Sequence, residues 1–158
     1  MPYIFIIIEV YLYYVANKKS QSILAFEAML VGLFINQIIG KLYFHNRPFM
    51  DHIGVVLTQH APDSSFPSDH TTFMLGIAFS LLFYKKTRNL SYILIFLGFI
   101  GGFTRVFEGV HYPFDIIGGA LSGLVGAILI FILGDKLKPL NDLIISITDR
   151  LQRGIMKK

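Results

Sequence analysis

The chain has 158 residues, 54% of them hydrophobic and only 15% charged, with a mean hydropathy of +0.61 and a formal net charge of +4. Soluble domains carry about 45–50% apolar and about 25% charged residues, so this balance excludes an ordinary soluble globule and indicates a single integral membrane domain over residues 1–158. Cysteine is absent, which removes disulfide and thiolate chemistry, and no nucleic-acid partner is expected.

In chain order, an apolar run at residues 3–15 predicts a short first span whose ends rely on interfacial Tyr and Lys. A basic turn at 17–21 with Lys18 and Lys19 leads into a second run at 23–43, followed by a long polar stretch at 47–70. A third, short run covers 71–84, a basic turn at 85–89 carries Lys85, Lys86 and Arg88, and a fourth run covers 90–107. The turn at 108–111 precedes a fifth run at 114–133. In the tail at 139–158, Leu140, Leu143, Ile144, Ile147 and Leu151 recur at spacings of three and four, which predicts an amphipathic helix. It would lie on the inner leaflet or cap the bundle. The expected fold is all-α: a polytopic transmembrane helical bundle of about five spans plus a C-terminal amphipathic helix.

The distribution of basic residues gives this bundle an orientation. Lys18 and Lys19, the 85–88 cluster, and Lys136 and Lys138 all fall on one side when loops alternate, which the positive-inside rule makes cytoplasmic. The 47–70 and 108–111 loops then face outward. Residues 1–15 lack the basic start and small-residue cleavage site of a secretory signal, and the abrupt apolar start at Pro2 leaves room for a preceding segment.

Three polar clusters interrupt the apolar chain, all at outward helix ends. In Phe66-Pro67-Ser68-Asp69-His70-Thr71, Ser68 is a good N-cap residue, and the unpaired first-turn N–H groups beyond it suit an anion. Pro-Ser-Asp before a helix is equally a plain cap. In the stretch from Arg105 to Asp115, Pro113 suits the first turn of the last span, so His111 precedes that helix with Asp115 about one turn away. A carboxylate so placed can hold one imidazole nitrogen and leave the other nucleophilic, and Arg105 approaches from the preceding span. The alternative is an interfacial Arg–Asp pair beside a capping His, but ionisable residues at membrane depth are costly and usually functional. Arg47-Pro48 closes the second span with a guanidinium suited to phosphate oxygens. Lys41, nearly two turns deeper, either reaches a phosphate or snorkels to the interface.

Among the remaining polar residues, Asn36 and Gln37 are expected to form structural interhelical hydrogen bonds, while Glu9 and Glu27 could do so or line a lipid entrance. Glu108 lies close enough to tune Arg105 or His111. Asp51, His52, His60 and Asp63 read as solvated loop residues, with a His/Asp metal site as the alternative.

Together the clusters resemble the type 2 phosphatidic acid phosphatase superfamily of membrane phosphatases, with its pattern K-x6-RP, PSGH and SR-x5-H-x3-D. The resemblance runs over nearly the whole chain, and FPSDHT looks most like bacterial undecaprenyl-diphosphatases of the bacitracin-resistance type. The sequence departs from the pattern in three places: five residues rather than six separate Lys41 from Arg47, Asp69 stands for Gly, and Thr104 stands for Ser.

The resemblance implies that His111 attacks phosphorus, Asp115 orients it, and His70 first protonates the leaving oxygen and then activates water. Arg47, Arg105, Ser68 and the Asp69 backbone N–H would hold the phosphoryl oxygens, with Lys41 as a further candidate. No cofactor or metal is implied. The implied substrate is a polyprenyl diphosphate lipid, most nearly undecaprenyl diphosphate, cleaved at the extracytoplasmic face of a bacterial plasma membrane. That reaction recycles the cell-wall carrier lipid and gives tolerance to bacitracin. Competing expectations are a broad lipid phosphatase acting on phosphatidylglycerol phosphate or phosphatidate, and a non-enzymatic transporter subunit or lipid-binding protein. Oligomeric state is not legible in the sequence.

Overall fold

The computed structural model describes residues 1–53, 55–57 and 60–156. Five helices form in chain order: α1 (Pro2–Tyr14), α2 (Lys19–Leu42), α3 (Asp69–Leu82), α4 (Arg88–Phe107) and α5 (Pro113–Met156). Among the described residues there is no strand. Helices α2, α4 and α5 are long and apolar enough to cross a membrane, whereas α1 and α3 have 13 and 14 residues. At 1.5 Å per residue these reach about 20 Å, short of the ~30 Å hydrocarbon core.

Helix α3 tolerates its shortness because protein, not lipid, surrounds it. It packs against α2, α4 and α5, and Met74, Leu75, Ile77, Ala78 and Leu81 are all buried along it. Phe5 and Leu12 of α1, Ala25 and Met29 of α2 and Leu94 of α4 complete this core. The opposite faces expose large apolar side chains, including Phe34, Phe96, Phe107 and Ile132. Such a surface suits hydrocarbon, where helices alone satisfy their backbone groups.

Small residues let the helices approach closely. A Cβ on Gly126 of α5 would lie 2.4 Å from the Ala28 carbonyl oxygen of α2. One on Gly123 would lie 2.8 Å from the Gly76 nitrogen of α3, so both crossings are backbone against backbone. Polar groups inside the bundle are bonded across helices. Ser22 donates to the Glu9 carboxylate, and Asn141 Nδ2 lies 3.4 Å from Glu27 Oε2. Both acids, which the sequence left open, therefore bridge helices.

The tail differs from the expected separate helix. Helix α5 runs unbroken through Pro139, although proline removes the N–H that would bond to the Asp135 carbonyl. The tail reaches the end of α1 and the start of α2: Lys19 pairs with Asp149, and the Tyr13 hydroxyl bonds to Thr148. Of the two expected placements, capping of the bundle is the one these contacts favour, with Leu140, Leu143 and Leu151 left exposed.

Candidate active site

The start of α3, the end of α4, the start of α5 and the segment after α2 all meet at one end of the bundle. The meeting is fixed by backbone bonds: Ser68 N–H donates to the Asp115 carbonyl at 3.0 Å and Ser65 N–H to the His45 carbonyl at 2.8 Å. A one-residue loop shift would therefore move the side chains of both helix starts together.

His111 is 3% exposed and lies between two partners. Its Nδ1 is 3.3 Å from Asp115 Oδ2, and its Nε2 is 3.2 Å from Arg47 Nη1. A guanidinium can only donate, so Nε2 accepts and Nδ1 carries the proton. The sequence-derived orientation of the pair is present: a carboxylate holds one nitrogen, and the other keeps its lone pair. Burial pushes the His111 pKa below its ordinary 6.5; the Asp115 bond pulls upward and the Arg47 charge pushes down again.

Asp115 is fully buried in the first turn of α5. Its Oδ2 also accepts from the Ser65 hydroxyl and from the Tyr112 N–H at 2.8 Å. Its Oδ1 has no hydrogen-bond partner, and His45 Nδ1 stands 3.8 Å away. Helix N-termini favour negative charge, which offsets part of the cost of burying this carboxylate.

Arg47 is 4% exposed, and its guanidinium is almost saturated by the chain. Nε donates to Asp63 Oδ1 at 2.8 Å, Nη1 to the Val110 carbonyl at 2.9 Å, and Nη2 to the Ser64 carbonyl at 3.2 Å.

A cavity of about 300 Å³ opens over these groups, lined by Arg47, His111, His70, Asp69 and Lys41, with His60 and Asp63 at its side. Lys41 thus lines the cavity despite its altered spacing. A neighbouring cavity of about 340 Å³ shares His70 and adds Arg105, Thr104 and Glu108. Arg105 is paired with Glu108, its Nε is buried without a partner, and it lines the cavity that shares His70, with its charge felt by both His70 and His111. A third recess, lined by Leu33, Phe73, Asp69 and His70, is mostly apolar.

Ser68 departs from expectation. It occupies the N-cap position with extended backbone, but its side chain makes no capping bond; it is fully buried and its Oγ accepts from Thr71 Oγ1 at 3.1 Å. The buried hydroxyl does not line the cavities described. Asp69 is fixed by Asn36, whose Nδ2 donates to its Oδ1 at 2.8 Å. The structural role expected of Asn36 therefore acts inside the site.

Sequence reasoning missed three contributors. Ser65 bonds to Asp115, Asp63 to Arg47, and Tyr112 presents its backbone N–H to Asp115. Their only signal was adjacency to the motifs, since loop residues show no periodicity. Asp51 braces the loop by accepting from Asn46 and Tyr112. Among the described residues no three His, Asp or Glu groups are gathered as metal ligands, so the 51–63 alternative has no such cluster.

A multi-pass helical bundle with a buried His–Asp pair, a second His and arginines around one polar cavity is the architecture of a membrane phosphatase. The chain belongs to the PAP2 superfamily, whose family model matches residues 21–139. It is 34% identical, over its full length and 81% of the relative's, to undecaprenyl-diphosphatase BcrC of Bacillus subtilis. It is 38% identical to the putative undecaprenyl-diphosphatase YbjG of Escherichia coli over 64% of this chain and 50% of that one. The crystal structure of Aquifex aeolicus LpxE shares the fold, with a TM-score of 0.62 and 23% identity over 82% of this chain and 76% of that one.

Proposed function

We propose that the chain hydrolyses undecaprenyl diphosphate to undecaprenyl phosphate and inorganic phosphate at the extracytoplasmic face of a bacterial plasma membrane. The observation that carries the reading is the polarised imidazole: Asp115 holds His111 Nδ1–H, and Nε2 keeps a lone pair at the polar cavity of about 300 Å³. The names of the two relatives supply the substrate class.

The Nε2 lone pair attacks the terminal phosphorus, and the bond from that phosphorus to the bridging oxygen breaks. Burial and the Arg105 charge push the His70 pKa down to about 4, so it is neutral in the free protein. The charge of the incoming diphosphate favours its imidazolium, which gives its proton to the departing lipid phosphate, leaving a phosphohistidine on His111. His70 then takes a proton from water, whose oxygen attacks the same phosphorus and releases inorganic phosphate. Asp115 balances the positive charge on the imidazole in both steps. Arg47 and the first-turn amides of α3 hold phosphoryl oxygens, Lys41 adds charge, and Arg105 acts from the His70 side. For the phosphorus to reach Nε2, Arg47 must turn from His111 toward the phosphoryl oxygens. The apolar recess beside His70 gives the prenyl tail a lateral path to the bilayer.

The test is phosphate release by the detergent-purified protein from undecaprenyl diphosphate, phosphatidylglycerol phosphate and phosphatidate, in the presence of EDTA, beside His111→Gln. The expected result is EDTA-resistant release from the diphosphate that vanishes in the variant. Preference for a glycerolipid would replace the substrate, and turnover by His111→Gln would end the phosphohistidine route. Because the chain has no cysteine, Val55→Cys and Lys86→Cys report the face: an impermeant maleimide on intact cells should label the first alone.

A further inference from the structure

A guanidinium has five N–H groups, and four of those on Arg47 are directed at acceptors of its own chain. Three of the acceptors are neutral: the Val110 and Ser64 carbonyls and His111 Nε2. The fourth is a carboxylate, Asp63 Oδ1, at 2.8 Å from Nε. The two partners differ sharply in surroundings, since the Arg47 side chain is 5% exposed and that of Asp63 is 61% exposed. A fixed cation at the wall of the cavity is thus met by an anion on the outer loop, which lines the same cavity.

We propose that Asp63 is a resident anion that occupies the phosphoryl position on Arg47, yields to the substrate's phosphate, and returns to expel inorganic phosphate. It is a product-releasing residue for the reaction above, and the idea rests on that reading of Arg47. Arg47 can grip phosphate strongly only while Asp63 is away, so apparent phosphate affinity falls by the fraction of time the guanidinium is free. A lipid diphosphate has its prenyl tail to add binding free energy and displaces the carboxylate. Free phosphate carries the same cost without that contribution, so it is left too weakly held to occupy the site, and Asp63 speeds release of the product. The exposed side of Asp63 lets it swing out into water with its charge solvated, whereas a buried carboxylate would have no such refuge.

A strut that merely orients Arg47 predicts the opposite sign, which makes the idea testable. Product inhibition by inorganic phosphate would be measured on the full chain in detergent during undecaprenyl diphosphate hydrolysis, comparing wild type, Asp63→Asn and Asp63→Ala. Both variants should be inhibited more tightly, with Ki lower by about three- to tenfold, the range for a charge-assisted pair partly screened by solvent. The KM for the lipid should fall by a similar factor where it reports binding. An unchanged or raised Ki would overturn the proposal. Thermal stabilisation by added phosphate, read without turnover, should be larger in Asp63→Asn than in wild type. Equal shifts would also sink the idea. If wild type hydrolyses no lipid at all, the phosphatase reading fails, while the stabilisation experiment still reports on Asp63 alone.

Discussion

Replacing Asp115 by Asn keeps the shape of the side chain and removes its charge. Asp115 Oδ2 lies 3.3 Å from His111 Nδ1, and the imidazole becomes cationic as its other nitrogen bonds to phosphorus. At an effective dielectric of about 20, two unit charges at that separation attract by about 5 kcal/mol. This attraction is absent while the imidazole is neutral, so it acts on the transition state and not on substrate binding. Each 1.4 kcal/mol is roughly tenfold in rate, which puts the loss in kcat on the order of 10³–10⁴, with KM little changed. The retained amide oxygen makes this an upper bound. Single-turnover release of phosphate from substrate labelled at the terminal phosphorus measures it, beside a melting curve to show that the variant is folded. A folded Asp115→Asn protein that loses less than about tenfold would refute the charge argument.

The remaining predictions concern protonation, the loop and the bundle. Burial and Arg47 favour neutral His111, so its depressed pKa moves the acid limb of kcat/KM below pH 6.5, and activity should persist where a free imidazole is mostly protonated. A pH profile with its acid limb above 6.5 would contradict this. Ser65→Ala removes a hydroxyl bonded to the Asp115 carboxylate and should lower kcat by about ten- to a hundredfold, the worth of one hydrogen bond to a charged group. An unchanged rate would show that Ser65 does not support the pair. Gly126→Ala puts a methyl 2.4 Å from the Ala28 carbonyl, and the overpacking should cost about 1–3 kcal/mol of bundle stability, read as a lowered melting temperature in detergent. Gly134→Ala, where the nearest atom is Leu24 Cδ2 at 3.9 Å, is the matched control and should leave it unchanged.

Where the argument depended on hydropathy, the sequence located the helices closely, because lipid and core both demand continuous apolar runs. Helix α4 begins at Arg88 where the run begins at 90, and α2 begins four residues before its run because polar Lys19 to Ser22 still wind into the first turn. The tail escaped because proline is read as a boundary. Its continuation into α5 depends on Lys19 and Tyr13, more than a hundred residues away. The convergence of Arg47, His70 and His111 on one cavity was legible, since all three clusters fell at outward helix ends. Arg105 was expected to reach the same spot; it lines the neighbouring cavity with His70, paired to Glu108 three residues on. The saturation of Arg47 was invisible: its acceptors are two loop carbonyls, an aspartate and His111 Nε2, and no spacing rule connects positions 47, 63, 64 and 110.

Asp115 has a consequence for how this chain can change. Enzymes commonly give up stability at their reactive groups, and replacing such a group often makes a sturdier, inactive protein. Here the carboxylate that holds His111 also receives the Tyr112 N–H, while the Asp115 carbonyl receives the N–H of Ser68 at the start of α3. The carbonyl survives any substitution, but the carboxylate ties the reactive geometry to the entry of α5. Losing this carboxylate leaves the Tyr112 N–H and the Ser65 hydroxyl without their acceptor, so selection for heat resistance has no inactive shortcut at this position, and improvements must come from the outward apolar surface or the end of α5 far from the site.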